Sequence, residues 1–380
     1  MRRLSPSWIG FIALPIIGCC ALPSVTSAEE TATAVIESDE AANWEASNPI
    51  VPIPDPPLGI GTDENLPAKL TDFEDPPTPE RVRLGRWLFF DARLSADNSV
   101  SCATCHRPEH AFSEPTPTST GIGGQVGGRK APTFTNLAWA TLPHFFWDGR
   151  AASLEEQAGG PMINPIEMGN ADHQVVVDKL SKIRGYAKYF EEAFGTPDIT
   201  IERITKAIAD YERTRMSGNS PWDRWRAGDQ DAVSDDVKKG HRLFFGNAFC
   251  NNCHKGPNLT DGDFHNLGVG WDAETETFAD VGRYAVTEEE SDKGAFKTPS
   301  IRDVSKRPPY MHDGSVKTLR EVVELYSKGG IPNPYLDRKI DRRFAERLDL
   351  SEKQILQLVA FMESLDGEGY QDTAPTSFPQ

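Results

Sequence analysis

The chain has 380 residues, of which 57 are acidic and 40 are basic, so its formal net charge is −17. This length allows two domains that each bury a core of their own. The acidic balance excludes nucleic acid as a partner, because binding a phosphate backbone requires basic patches, and it favours a protein partner with a basic docking face.

The N-terminus has the pattern of an export signal. Two arginines follow Met1, residues 8–22 are apolar, and Thr26–Ala28 offers small residues for cleavage. The apolar run is short and interrupted by proline, so it does not predict a membrane span. We therefore predict that residues 1–28 are a signal peptide and that the mature protein is periplasmic. A lipoprotein with a lipid on Cys19 is the alternative that the sequence leaves open.

The helical part of the chain is predicted to follow an N-terminal arm. Residues 29–78 are acidic and rich in proline, which favours an extended arm over a core. Thr78 can cap a helix and Pro79 suits its first turn, so a helix is predicted from there. Strand-like alternation is scarce, and we predict an all-α chain with long loops. Further helices are predicted at 153–159, 171–183, 199–215, 234–245, 317–328 and 351–365.

A short cysteine–histidine motif, C-x-x-C-H, occurs twice. Two such thiols can add to the vinyl groups of a haem, and the histidine is then the proximal iron ligand. Between Cys105 and Cys250 lie 144 residues, whereas roughly 15–20 residues usually lie between the two pairs of a structural zinc site. A thioredoxin-type redox pair would need a βαβ pattern that neither copy has. Two covalent haem c groups are therefore predicted, attached through Cys102, Cys105, His106, Cys250, Cys253 and His254.

The two motifs belong to an internal repeat. A Leu-Phe-Phe triplet precedes each motif, and residues 146–155 match residues 311–320 at an offset of 165 residues. Two homologous halves, each with one haem, follow from this repeat. We place the first cytochrome c-like domain at 79–228 and the second at 229–380.

These motifs, in this order, resemble the bacterial dihaem cytochrome c peroxidase family, which includes MauG-like and MbnH-like enzymes. The resemblance covers roughly residues 79–330 and also rests on Ala131–Thr133, Asn164–Met168, Phe296–Pro299 and Pro309–Gly314. It implies two cytochrome-c-like helical domains with the haems on either side of a shared interface. It also implies that the first haem binds peroxide and the second handles electrons.

The first haem is expected to have an open iron. In the family, a histidine from the loop before the Ala-Pro-Thr motif blocks this iron until activation, but residues 111–143 contain neither His nor Met. The resemblance places Gln157, Pro161 and Glu167 in the distal pocket. A carboxylate there can take a proton from peroxide and return it to the leaving oxygen. Alternatively, Glu167 caps the helix near residue 171 or faces solvent.

The second haem is expected to have a tyrosine ligand. The family uses a methionine fourteen residues after a histidine, and the same count from His312 reaches Tyr326. The offset of the repeat relates Tyr326 to Pro161, a side chain that cannot bind iron. Tyrosinate is an anionic donor, which should lower the potential of the iron relative to a methionine ligand. The alternative is a core tyrosine, with Met311 as the ligand.

Trp147 falls where the family places an aromatic residue between the haems. An indole can be oxidised transiently and so can relay an oxidising equivalent from one iron to the other. The alternative is an ordinary buried tryptophan in a haem-lined core.

Calcium is left open by the sequence. The family commonly places this ion near the interface, with an asparagine just before the Ala-Pro-Thr motif, where this chain has Lys130. The remaining ligands would be carbonyl groups near Arg307 and Pro309. A positively charged ammonium in place of the asparagine that would bind the ion weakens the case for a calcium site.

The combined prediction is an exported dihaem oxidoreductase. Hydrogen peroxide reacts at the first haem, an oxidising equivalent passes through Trp147 to the haem of His254 and Tyr326, and a residue such as Trp on a partner protein is oxidised. One alternative is a periplasmic cytochrome c peroxidase that draws electrons from a small cytochrome c. A second is a non-enzymatic dihaem electron carrier, in which both irons would be six-coordinate.

Overall fold

Helices and long loops make up nearly all of the chain. The computed structural model describes residues 43–63, 65–140, 144–340, 348 and 350–380. The predicted signal peptide and Cys19 lie outside these residues. Residues 43–47 are helical. The α-helices that follow are α1 Pro79–Phe90, α2 Cys102–Cys105, α3 Leu154–Ile163, α4 His173–Ser181, α5 Arg184–Phe194, α6 Ile201–Arg213, α7 Pro221–Arg226, α8 Asp235–Phe244, α9 Tyr284–Thr287, α10 Leu319–Ser327 and α11 Glu352–Glu363.

Strands are short and few in the described ranges. β1 (Phe264–Asn266) pairs antiparallel with β4 (Ala295–Lys297), and β2 (Trp271–Asp272) pairs antiparallel with β3 (Thr277–Phe278). The prediction of an all-α fold is confirmed. No helix among the described residues has both the length and the apolar character needed to span a bilayer.

Side-chain caps start the helices where the sequence predicts them. The Thr78 side chain accepts a hydrogen bond from the backbone of Arg81, and Pro79 occupies the first turn of α1. Ser153 caps α3 and Thr318 caps α10 in the same way. These two caps are 165 residues apart, so α3 and α10 begin at equivalent points of the internal repeat.

Each half contains a pair of helices that approach closely at a glycine. A Cβ added at Gly85 of α1 would lie 1.8 Å from the carbonyl oxygen of Ala207 in α6, and one at Gly240 of α8 would lie 1.9 Å from that of Gln357 in α11. Both glycines stand three residues before a Leu-Phe-Phe triplet. No larger residue fits at either crossing without moving a helix.

Two large clusters of buried apolar side chains accompany these helix pairs. The first contains Trp87 and Leu88 of α1 with Ile208 of α6, and the second contains Phe244 of α8 with Phe361 of α11. Burial of such side chains is the main favourable term in folding. The boundaries 79–228 and 229–380 stay predictions.

Residues from both ends of the described chain pack against the helices of the first half. In the N-terminal segment, Ile60 and Leu70 are buried beside Trp139, whose indole donates to the carbonyl of Pro67 at 2.7 Å. In the C-terminal segment, Asp372 pairs with Arg86 of α1 at 2.9 Å.

Candidate functional site

The first haem motif lines a cavity of about 450 Å³. Cys102 and Cys105 face it together with His106. The Nδ1 of His106 lies 2.9 Å from the carbonyl oxygen of Phe112, so it donates there and Nε2 keeps a free lone pair. Burial lowers the pKa of His106, which keeps the ring neutral. A neutral, hydrogen-bonded imidazole beside two thiols fits a haem with a proximal histidine.

The second motif repeats this arrangement around a cavity of about 210 Å³. Cys250 and Cys253 line it with His254, whose Nδ1 lies 3.0 Å from the carbonyl oxygen of Leu259. Burial lowers the pKa of His254 as well. The residues of both motifs therefore fit one haem each, held by two cysteines and one histidine.

The proposed distal residues converge on the first cavity. Gln157 and Pro161 are four residues apart on α3 and share one face of it, and Glu167 lies in the turn that follows. Glu167 Oε1 accepts a hydrogen bond from Asn164 Nδ2 at 3.0 Å. Burial raises the pKa of Glu167, and the nearby charge of Arg150 opposes this shift. One carboxylate oxygen of Glu167 is therefore fixed by the hydrogen bond from Asn164, and the carboxyl group ionises at a higher pH than an exposed glutamate does.

Glu167 does not cap the next helix. The carboxylate of Asp172 accepts from the backbone nitrogen of Val175 at 3.0 Å and starts α4. A loop of residues 121–128, five of which are glycine, packs on the turn that contains Glu167 instead, since the backbone nitrogen of Ile122 donates to the carbonyl of Glu167 at 2.9 Å. The buried Met168 also lines this cavity and brings a thioether that the sequence interpretation did not consider.

Both candidate ligands for the second iron line the second cavity. Tyr326 is on α10, and Met311 is in the loop before this helix. Tyr326 occupies the same position in α10 that Pro161 occupies in α3. Burial raises the pKa of Tyr326, so without a cation its phenol stays protonated. Tyr326 as the iron ligand stays a prediction.

Trp147 lines both cavities. Its indole nitrogen donates to the carbonyl of Lys130 at 2.8 Å, and its own carbonyl accepts from the backbone nitrogen of Lys297 at 2.8 Å. Both lysines line the two cavities as well. The ring is therefore fixed at the boundary between the cavities by its indole and by its main chain.

An ion-pair network holds the segment that follows Trp147. Arg129 Nη1 lies 2.6 Å from Asp148 Oδ2, and Arg129 Nε lies 2.6 Å from Asp280 Oδ2. Arg150 also pairs with Asp148, at 2.9 Å. Because Asp280 comes from the second half of the sequence, Arg129 joins the two halves beside the first cavity.

Two acid–base features of the site were missed in the sequence. Glu212 of α6 lines the first cavity and is 4% exposed, its Oε2 has no hydrogen-bond partner in the described structure, and burial raises its pKa to about 8. His265 contacts Asp337 at 2.5 Å and Asp261 at 3.1 Å, beside Cys253. Local spacing reveals neither feature: Glu212 lies in a charged helix, and Asp261 lies in the loop before the strand that carries His265, where a spacing of four residues does not bring side chains together.

The residues around the Ala-Pro-Thr motif do not fit a calcium ion. Calcium takes six to eight oxygen ligands, but Lys130 Nζ donates to the carbonyl oxygens of Glu114 and Thr116, the latter at 3.2 Å. Near Pro309, where further carbonyl ligands were expected, the buried Arg307 brings a second cation close to Lys130. No part of the reaction is assigned to calcium.

The chain is similar to known proteins. A family model described as "Di-haem cytochrome c peroxidase" matches residues 79–231. The methylamine utilization protein MauG of Methylorubrum extorquens is 41% identical over 304 residues, which cover 79% of this chain and 82% of that protein. The chain belongs to the dihaem cytochrome c peroxidase family. The predicted resemblance is confirmed, and the protein is an oxidoreductase of the dihaem cytochrome c peroxidase/MauG type.

The chain is also similar to a protein named as a cytochrome c peroxidase and to a further MauG-like protein. The cytochrome c551 peroxidase of Nitrosomonas europaea is 35% identical over 304 residues, covering 80% of this chain and 85% of that protein. A crystal structure of a MauG-like protein associated with microbial copper homeostasis matches with a TM-score of 0.70 and 29% identity, covering 83% of this chain and 99% of that one. Both names occur at similar identity, so the family leaves the substrate open.

Proposed function

We propose that this enzyme reacts with hydrogen peroxide at the first cavity and oxidises a residue, such as a tryptophan, of a partner protein from the second cavity. The observation that carries the proposal is Trp147, which lines both cavities and is fixed by hydrogen bonds at its indole and its main chain. Haem c, when bound at both motifs, supplies the redox chemistry. The chain supplies the ligands, the proton transfers and the connection between the cavities.

Glu167 is the proton-transferring group of the first cavity in this proposal. Asn164 holds its Oε1, which leaves Oε2 to accept a proton from peroxide and to return it to the leaving oxygen. The raised pKa of Glu167 brings this carboxyl closer to the pH at which both transfers are efficient. Pro161 has no atom that can bind iron, so it leaves space for peroxide on the same face of α3 as Gln157.

Tyr326 favours partner oxidation over electron uptake from a cytochrome. A phenolate oxygen stabilises an oxidised iron better than a thioether does, whereas a methionine ligand raises the potential and favours reduction. Tyr326 lines the second cavity at the helix position equivalent to Pro161, which supports its role as the ligand. The similarity of the chain to MauG and to a MauG-like protein supports the same function.

A cytochrome c peroxidase is the second candidate, and the peroxidase relative from N. europaea favours it. The first cavity would act in the same way, and a small cytochrome c would deliver electrons to the second haem. A non-enzymatic carrier would need a sixth ligand in the first cavity, and Met168 is a thioether residue that lines it.

We further propose that the mature protein is periplasmic. The signal pattern of residues 1–28 supports export, and a lipid on Cys19 is the alternative. Covalent attachment of haem c at both motifs agrees with export, because this attachment takes place on the outer side of the membrane.

The test is to mix resting, haem-loaded protein with one equivalent of peroxide, with and without a reduced small cytochrome c. We expect EPR of the resting protein to contain one high-spin and one low-spin ferric signal. Peroxide should be consumed rapidly without the cytochrome, and the cytochrome should be oxidised only slowly. Two low-spin signals would indicate the carrier, with Met168 as a ligand. Rapid turnover of the cytochrome would make the peroxidase the better assignment.

A further inference from the structure

A buried lysine, Lys130, lines both cavities. Lys130 is 5% exposed, and its Nζ donates to the main-chain carbonyls of Glu114 and Thr116. We call these two carbonyls and the ammonium between them the Lys130 cradle. A charged group is expensive to bury unless polar partners replace its water. The cradle provides such partners from a loop 14 to 16 residues earlier in the chain.

The main chain of Lys130 joins parts of both halves. Its nitrogen donates to the carbonyl of His312 at 2.8 Å, and its carbonyl accepts from the indole of Trp147 at 2.8 Å. The cradle loop also touches the second half, since a Cβ added at Gly314 would lie 2.3 Å from the Cα of Pro117. Moving Lys130 would therefore disturb Trp147, the cradle loop and the turn at 312–314 together.

A carboxylate on the same loop balances the ammonium. Glu114 is 3% exposed, and its side chain accepts hydrogen bonds from Ala131 N at 2.6 Å and Ser119 Oγ at 2.7 Å. Burial lowers the pKa of Lys130 to about 8, and the negative charge of Glu114 opposes this change. The ammonium is therefore still mostly protonated at pH 7.

We propose that Lys130 is a cation built into the chain, which closes the junction between the two haem cavities in place of a bound divalent cation. A lysine ammonium offers three donors, and carbonyl oxygens suit it as they suit calcium. The two cations cannot share the same carbonyls, because each needs their lone pairs and like charges repel. The contacts around Lys130 then form without calcium, and a chelator of divalent cations does not disrupt them. This proposal is independent of which molecule the enzyme oxidises.

The first test uses the haem-loaded wild-type protein. It is incubated with calcium chloride or with EDTA, desalted, and examined by elemental analysis and thermal melting. We expect no stoichiometric calcium and the same Tm in both conditions. One calcium ion per chain, or a lower Tm after EDTA, would overturn the proposal. This test requires no variant.

The second test uses Lys130→Met, with Lys306→Met as the control. Methionine keeps the length of the side chain but leaves the cradle carbonyls without a donor and Glu114 without its counter-charge. We expect the Tm to fall by about 4 °C or more, whereas the half-exposed Lys306, paired with Asp366 at the surface, should change it little. An unchanged Tm of Lys130→Met would overturn the proposal.

The third test is Lys130→Asn, which replaces the ammonium by a neutral side chain with an oxygen. If the cradle suits either cation, this variant should be less stable than wild type in EDTA. Its Tm should recover in part at about 1 mM calcium, the range of weak extracellular sites. Magnesium at the same concentration should restore less, because it demands a tighter octahedral shell. No calcium response would show that the cradle is not a cation site, against the proposal.

Discussion

The indole nitrogen of Trp147 lies 2.8 Å from the carbonyl oxygen of Lys130. On its other side, the Trp147 carbonyl accepts a hydrogen bond from Lys297 N at 2.8 Å. Burial lowers the pKa of each of these lysines to about 8, so both carry mostly positive charge at pH 7. Both contacts with Trp147 are made by the main chain of these lysines. Their ammonium groups bond elsewhere, that of Lys130 to the carbonyls of Glu114 and Thr116 and that of Lys297 to the carbonyl of His144 at 2.6 Å. The indole is therefore held by neutral main-chain groups.

Replacing Trp147 by phenylalanine should slow the transfer of an oxidising equivalent from the first haem to the second. Phe keeps an aromatic ring but is much harder to oxidise and loses the hydrogen bond to Lys130. We expect peroxide to be consumed at the first haem while the spectrum of the second haem responds at least ~10-fold more slowly. Stopped-flow absorbance after one equivalent of peroxide measures both. Trp139→Phe is the matched control, because this indole also bonds to a carbonyl, that of Pro67, but lines neither haem cavity.

Glu167→Gln should slow the reaction with peroxide by ~10²-fold or more at unchanged haem content. Glutamine keeps the shape and the bond to Asn164 but cannot transfer the proton. The pKa of Glu167 is raised by burial, so in wild type the rate should rise with pH through a value above the ordinary pKa of glutamate. The variant should lack this limb of the pH profile. Glu156→Gln, an exposed change on α3, should behave as wild type. A rate within a few-fold of wild type for Glu167→Gln would leave Glu167 a structural role.

Local patterns in the sequence were sufficient for most of the fold. Capping residues and helical periodicity predicted the start of α1, and α3, α4, α6, α8, α10 and α11 with boundaries a few residues off. The helix α5 was missed, although Tyr186, Tyr189 and Phe190 have helical spacing and Gly195 ends it in a left-handed conformation. Gly185, in its first turn, disfavours a helix locally. Packing of the aromatic face against the first cluster overrides that preference.

The site was predictable where its residues share a motif and not where distant segments meet. The cysteines and histidines of both motifs are local, and the repeat related Pro161 to Tyr326 by counting. The Lys130 cradle depends on main-chain carbonyls of Glu114 and Thr116, which no side-chain pattern reveals. A glutamate within a charged helix such as α6 ordinarily faces solvent, so the burial of Glu212 could be recognised only from the tertiary structure.

Glu212→Gln should stabilise the protein at the upper end of the neutral range. Burial raises the pKa of Glu212 to about 8, whereas in the unfolded chain it titrates near ~4.3. Between these values the unfolded state releases a proton that the folded state keeps, so the free energy of unfolding falls as pH rises. Glutamine has no such proton. We expect a higher Tm than wild type at pH 8 and a smaller difference at pH 5.

The control for this change is Glu202→Gln on the same helix. Glu202 is exposed, and hydrogen bonds from its own backbone nitrogen and from Thr200 at the start of α6 lower its pKa. Its replacement should leave the pH dependence of Tm close to that of wild type or make the protein slightly less stable. If Glu212→Gln instead lowers the Tm at pH 8, Glu212 is ionised and paired in the folded protein.

Tyr326→Met distinguishes the two enzymatic functions. If the phenolate of Tyr326 binds the second iron, a thioether in its place should raise the reduction potential of that haem. The first cavity is untouched, so peroxide should still react there. The variant should lose partner oxidation and gain turnover with a reduced small cytochrome c. Spectroelectrochemical titration of both haems measures the potential, and steady-state assays measure the turnover. Met311→Leu provides the counterpart, since Met311 lines the same cavity. An altered second-haem spectrum in Met311→Leu, together with an unchanged spectrum and potential in Tyr326→Met, would identify Met311 as the ligand and favour the peroxidase.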